Sequence, residues 1–254
     1  MSLSEKKQSE LRFALAEKGD LKHVLASVDE SIRKHPRDSL LYRERAHIYL
    51  YRYDTQLARS DFDTTVRLEA ATFRTRAGQL HSDGEYNAIG VTYWMEEHRD
   101  LALAFWRYTT HSLANNRVSY AHMGGGIESG MMLWFGAVHQ RNKEDIELVR
   151  SFYEKRLTST FWSHDLSSWP GPIVRFFLKK IDESALIEAS KGDDHHEREA
   201  QFALAVRARE LGRHAAYRKH LKLVVPKSRA KDLYDYYNCF YYFLARFELA
   251  KAGL

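Results

Sequence analysis

Three groupings in the sequence hold residue types that could do chemistry. The run Gly124-Gly125-Gly126-Ile127-Glu128-Ser129-Gly130 is the first, because a glycine-rich loop entering a helix can cradle phosphate with its backbone N–H groups. No strand is predicted before it, no Lys-Ser/Thr follows, and Glu128 would repel phosphate, so a close helix contact or a flexible turn is the better reading. In the second, His195 and Glu199 stand four apart and would share one helix face, a spacing that can chelate a metal. Two ligands do not make a site, and Asp193 and Asp194 read more naturally as an N-cap and a first-turn acid. The third is Ser163-His164-Asp165: a nucleophile, its base and its orienter must converge in space, whereas sequence neighbours point apart. We therefore assign no metal, no cofactor and no catalytic set, and read the chain as a non-enzyme. A cryptic hydrolase built by tertiary packing around His122, Glu128 and His164 stays open as an alternative.

The elements that would position such residues are helices. Only four prolines (Pro36, Pro170, Pro172 and Pro226) interrupt 254 residues, and Ala, Leu, Arg, Glu and Lys fill the stretches between them. Asn-Gly turns between alternating apolar runs are absent, so the fold class is all-α. A hydrophobic fraction of 44% suffices for one good core. The single thiol, Cys239, excludes an internal disulfide and reads as core filling. The polar start MSLSEKKQSE and the lack of an apolar run near membrane length lead us to expect a cytoplasmic protein with no membrane partner. Acids and bases are interspersed at a net charge of +5, with a sequence pI of about 9.1, which suits an acidic partner.

Helical periodicity runs in segments of ten to fifteen residues joined by short breaks, and one layout occurs twice. Over residues 39–72, Tyr42, Ala46 and Tyr49 share a stripe on one helix, and Leu57, Ala58, Phe62 and Val66 share one on the next. Over 83–116, the counterparts are Tyr86, Ile89, Gly90 and Tyr93, then Ala102, Trp106 and Thr109. Ala46, Gly90, Ala58 and Ala102 are small where paired helices must touch. Degenerate units fit 5–38 (Leu15 packing, Gly19-Asp20 turning), 129–160 (Gly136) and 198–227 (Ala205, Gly212, Ala215-Ala216), and a final helix over 232–252 would cap the stack.

This layout resembles the tetratricopeptide repeat. The resemblance implies one right-handed solenoid of antiparallel helix pairs over residues 1–254, with irregular loops between units. From residue 83 onward, with Trp169-Pro170-Gly171-Pro172-Ile173 ahead of VRFFLKK, the chain is also similar to a bacterial family of tetratricopeptide lipoproteins, the NlpI-like proteins, which scaffold cell-wall hydrolases and proteases; it lacks their lipid-attachment Cys.

In tetratricopeptide proteins the first helix of each pair lines a concave groove. Carried onto this chain, Arg43, His47 and Tyr51 of one unit and Asn87, Trp94 and Met95 of the next fall on the groove stripe. Rigid aromatics and a forked guanidinium are what a protein-binding hot spot uses. The competing reading of Tyr51 and Trp94 is packing against a further helix. The expected function is a non-catalytic module that binds a partner protein or peptide. Its rivals are a bacterial immunity or antitoxin protein covering a toxin, and an RNA-binding regulator. For RNA, Arg52, Arg59, Arg67, Arg74 and Arg76 could bind phosphates, as could Arg207, Arg209, Arg213, Arg218 and Lys219; against it, Asp54, Asp61, Asp63 and Glu69 interleave the first group, which reads as a solvated mixed-charge face.

Overall fold

The computed structural model describes residues 20–73, 83–115, 126–158, 166–225 and 240–254, which form twelve helices and, among the described residues, no strand. Arg74, Arg76, His122, Gly124, Gly125, Ser163-His164-Asp165, Leu15, Gly19, Cys239 and the first part of the expected capping helix lie outside them. Where the sequence reading runs one stack from 1 to 254, the contacts divide into two units: Met1–His81 with Pro226–Phe240, and Ser82–Val225 with Tyr241–Leu254. Among the described residues no helix is long and apolar enough to cross a membrane.

The first unit holds α1 (Leu21–Lys34), α2 (Ser39–Tyr51) and α3 (Thr55–Phe73). Asp20 and Asp38 accept from the backbone N–H groups of His23 and Leu40, capping α1 and α2. Val24, Val28 and Ile48 form an apolar cluster, and Ala46, Ala58 and Phe62 are fully buried. Arg45 grips Asp61 through two hydrogen bonds of 2.7 Å and reaches Asp29 at 2.7 Å, tying all three helices. Asp61, 4% exposed, is clamped and Glu69 is buried, whereas Arg52, Asp63 and Arg67 of the expected mixed-charge face are exposed.

The second unit holds α4 (Asp83–Met95), α5 (Arg99–Ala114), α6 (Ile127–Gln140), α7 (Lys143–Thr158), α8 (Gly171–Phe177), α9 (Glu183–Ser190), α10 (Asp194–Glu210), α11 (His214–Val224) and, from Tyr241 on, α12 (Phe240–Lys251). The pairs α2–α3, α4–α5, α6–α7 and α10–α11 follow the four units placed at 39–72, 83–116, 129–160 and 198–227.

All four pairs turn in one way. Tyr53, Glu97, Arg141 and Gly212 adopt left-handed backbone, with φ of 65, 64, 56 and 70°. The N–H of the next residue then donates to a carbonyl five residues earlier: Asp54 to Tyr49 at 2.9 Å, His98 to Tyr93 at 2.9 Å, Asn142 to Ala137 at 2.8 Å and Arg213 to Ala208 at 2.8 Å. This bond satisfies an orphan carbonyl at the end of each first helix and fixes where the second begins. Only Gly212 reaches this conformation without a steric cost.

Close helix contact explains the small residues. A Cβ on Gly90 would lie 2.2 Å from Trp106 Nε1, and one on Gly136 would lie 2.8 Å from Leu103 Cδ2. Three expected packing residues depart from the pattern: Leu57 is 51% exposed, Ala215 is exposed and Ala216 is half-buried, so the α11 pair closes instead on Tyr217 and Leu221. Helices α8 and α9 belong to none of the expected units. Gly171 opens α8 where a Cβ would stand 1.7 Å from the Leu166 carbonyl oxygen, which leaves space for no other residue.

Candidate functional site

Of the residues placed on a groove by sequence, Arg43, His47 and Tyr51 lie in the first unit and Asn87, Trp94 and Met95 in the second. The structure turns five of the six inward. Asn87 and Trp94 have zero exposure, His47 5%, and Tyr51 and Met95 8% each. Arg43 retains 24% of its side-chain surface and pairs with buried Glu69 at 2.8 Å. His47 Nδ1 sits 2.8 Å from the Arg43 carbonyl, and its ring stacks on Phe240 and meets Phe62 edge-on. Trp94 donates to Glu248 of α12 at 2.9 Å, and Asn87 donates to Ser129 at 2.9 Å. Part of the cover comes from the terminal helix, Phe240 for His47 and Glu248 for Trp94. Phe240 to Ala245 are all buried, and a helix apolar all round must be covered on every side. α12 lies against α4 through Glu248 and against α10, where Tyr241 meets Phe202 and bonds His195 Nδ1 at 3.1 Å. The unbroken apolar character of FYYFLA was the available signal.

Gly126 and Gly130 of the glycine run, and the acidic run, have structural explanations. Gly126 turns left-handed at φ 79° as the N-cap of α6, and a Cβ on Gly130 would stand 2.6 Å from the Tyr153 ring. The Ser129 hydroxyl donates a hydrogen bond to Asp83 at 2.8 Å and accepts one from Asn87, closing a buried relay between the starts of α4 and α6. Asn87 Oδ1 receives no donor in that relay. Asp193 caps α10 by accepting from the N–H groups of His195 and His196, while Glu199 accepts from the Trp169 indole at 2.6 Å. Among the described residues no group of three or more His, Cys, Asp or Glu is placed to hold a metal.

A surface site of which the sequence reading singled out only Arg209, as a phosphate contact, lies on the turn edge of the second unit. The turn of α6–α7 and the turn of α10–α11 flank a cleft of about 690 Å³ lined in part by Arg141, Lys143, Arg150, Arg209 and His214, with Val138 and Ile146 as apolar wall. Two carboxylates share it, and both are occupied: Glu147 pairs with Arg150 at 3.5 Å and Glu210 with Arg207 at 2.6 Å. Arg141, Lys143 and Arg209 face the cleft with no carboxylate partner among the described residues, and Arg209 hydrogen-bonds His214 Nδ1 at 3.0 Å. His139 forms the floor, with Nε2 3.0 Å from the Tyr217 hydroxyl. Burial, reinforced by the charges of Arg209, Arg99 and Lys251, holds its pKa down to about 3, so the imidazole is neutral near pH 7. Burial pushes the Tyr217 hydroxyl well up, and it too stays uncharged.

Beyond the same α10–α11 turn, a second hollow of about 480 Å³ is lined by Lys179, Lys180, Arg207 and Arg213, with Asp182 and Glu183. Asp182 is spent capping α9, and Glu183 lies 3.9 Å from Arg213, so among the described residues Lys179 and Lys180 have no carboxylate partner. The sequence signal for this edge was the left-handed turn itself. Once Arg141 and Gly212 are seen to hold equivalent turn positions, Arg141, Lys143 and Arg209 are brought to one edge.

The chain matches no protein-family model and no curated protein.

Proposed function

We propose that the chain is a non-catalytic helical-repeat module of tetratricopeptide-like construction that binds an acidic partner protein along the turn edge of its second unit. The observation that carries this is the trio Arg141, Lys143 and Arg209, whose charges no carboxylate among the described residues offsets, whereas Arg45, Arg43 and Arg107 are each paired with one. Uncompensated charge on an exposed edge speeds and orients encounter with an opposite surface more than it sets final affinity. The repeated turn supports the reading, because two copies of it within the second unit set Arg141 and Lys143 on one side of the cleft and Arg209 on the other.

The test is affinity capture of the tagged chain from its host, read by mass spectrometry, alongside the variant Lys143→Glu/Arg209→Glu. A stoichiometric acidic protein held by the parent, and at least tenfold depleted with the variant, is the expected result. Equal capture by both would remove the turn edge from the function. Recovery of nucleic acid alone, released steeply by salt, would replace the protein partner with RNA.

A further inference from the structure

The cleft between the two turns is too large and too charged for a surface that only steers. Its volume of about 690 Å³ falls in the range of pockets that enclose a small ligand or an anchoring side chain, and its wall is partly apolar. Its two acids are engaged, so three positive charges converge on it uncompensated: two forked guanidinium groups and one ammonium. The neutral His139–Tyr217 pair beneath can exchange hydrogen bonds without adding charge of its own.

One carboxylate offers two oxygens and a single charge, which would satisfy one guanidinium bidentately and leave two cations unbalanced. A phosphomonoester carries about −1.5 to −2 at pH 7 and three terminal oxygens, enough for all three donors at once. Gly212 on the facing rim has nothing within 4 Å of where a Cβ would stand, so the entrance stays open on that side. We propose that this cleft is a receptor for a phosphoryl group, held by Arg141, Lys143 and Arg209, with the remaining volume taking the body that carries it. The proposal rests on the same cleft as the protein-binding reading and specifies what the cleft recognises.

Calorimetry on the full chain with phenyl phosphate, and with benzoate as the singly charged counterpart of similar shape, tests it. Phenyl phosphate is expected to bind once per chain, at least tenfold more tightly than benzoate, and to weaken as salt rises. Lys143→Gln and Arg209→Gln should each weaken it at least fivefold with unchanged circular dichroism. Arg141→Asn should do the same, since Asn tolerates the left-handed backbone of that position. Equal binding of benzoate, no phenyl phosphate binding at low salt, or indifference to all three variants would overturn the proposal.

Two further probes identify the source of the group. Tighter binding of a phosphoserine peptide than of phenyl phosphate points to a phosphorylated partner, and tighter binding of adenosine monophosphate points to a free small phosphate. If phenyl phosphate fails while protein capture remains sensitive to Lys143→Glu/Arg209→Glu, the phosphoryl site falls and the protein-binding function stands. Phenyl phosphate binding without any captured protein has the reverse meaning.

Discussion

Trp94 donates its indole N–H to Glu248 at 2.9 Å, while the Arg99 guanidinium lies 3.8 Å from the centre of the same indole. Arg99 also donates to the Trp94 carbonyl at 2.9 Å and stands 3.8 Å from Glu248, so three side chains join α4, α5 and α12 around one ring. Trp94, one of the residues that the sequence reading placed on a groove, is thus covered within its own unit by α12.

Removing the carboxylate should expose the cost of that closure. In Glu248→Ala, the indole N–H loses its acceptor and the half-buried Arg99 loses its nearby anion. An unsatisfied buried donor costs about 1–3 kcal/mol, and the urea midpoint should fall accordingly at unchanged slope. An unchanged midpoint would mean that the triangle contributes nothing to stability.

Arg45 and Asp61 should behave as a pair rather than as two residues. Arg45→Ala leaves Asp61, 4% exposed, without its counter-charge, and stranding one partner of a buried pair costs roughly 3–5 kcal/mol. Because Arg45 is itself 22% exposed, the lower end is expected. Arg45→Met/Asp61→Leu should recover most of the loss, since apolar replacements of similar size need no counter-charge. A double variant no more stable than Arg45→Ala would contradict this account.

The helices were legible because their signals are local. Turn position, the small residues Gly90 and Gly136 and the cap at Asp193 are written within one or two turns of chain, and each has its expected place. The burial of His47, Asn87 and Trp94 was not legible, because periodicity says which face a residue takes but not what arrives to cover it. Glu248 is 154 residues from Trp94 along the chain, and no local pattern joins them. The cationic cleft escaped for a related reason. Its charges come from helix ends whose apolar stripes point elsewhere, and only the shared turn geometry brings Arg141 and Arg209 to one opening.

Gly90 should tolerate no side chain. In an open helix, Gly→Ala gains up to about 1 kcal/mol of helix propensity. Here the added Cβ would lie 2.2 Å from Trp106 Nε1, on a ring with zero exposure that has nowhere to move. Overpacking of this kind costs roughly 1–3 kcal/mol, so Gly90→Ala should lower the melting temperature, and adding Trp106→Leu should lessen the penalty of the alanine. A melting temperature that rises in Gly90→Ala would show that α4 and α5 separate freely.

His139 should make the fold acid-sensitive well above the pH at which its own ring titrates. The residue faces Tyr217, Arg209, Arg99 and Lys251, and is held neutral down to about pH 3. In the unfolded chain, a histidine takes up its proton near pH 6.5. The folded pKa lies below the unfolded one, so stability is complete above the unfolded value and declines as pH falls towards the folded value. Over that window the unfolded state alone binds the proton, at about 1.4 kcal/mol per pH unit, which amounts to about 2 kcal/mol at pH 5. His139→Gln should be less stable than the parent at pH 7.5, where it loses ring packing against Phe135 and Trp94. It should nevertheless lose about 2 kcal/mol less than the parent between pH 7.5 and 5. Denaturation curves at the two pH values decide the matter: equal losses in parent and variant would show that His139 carries a proton in the folded chain.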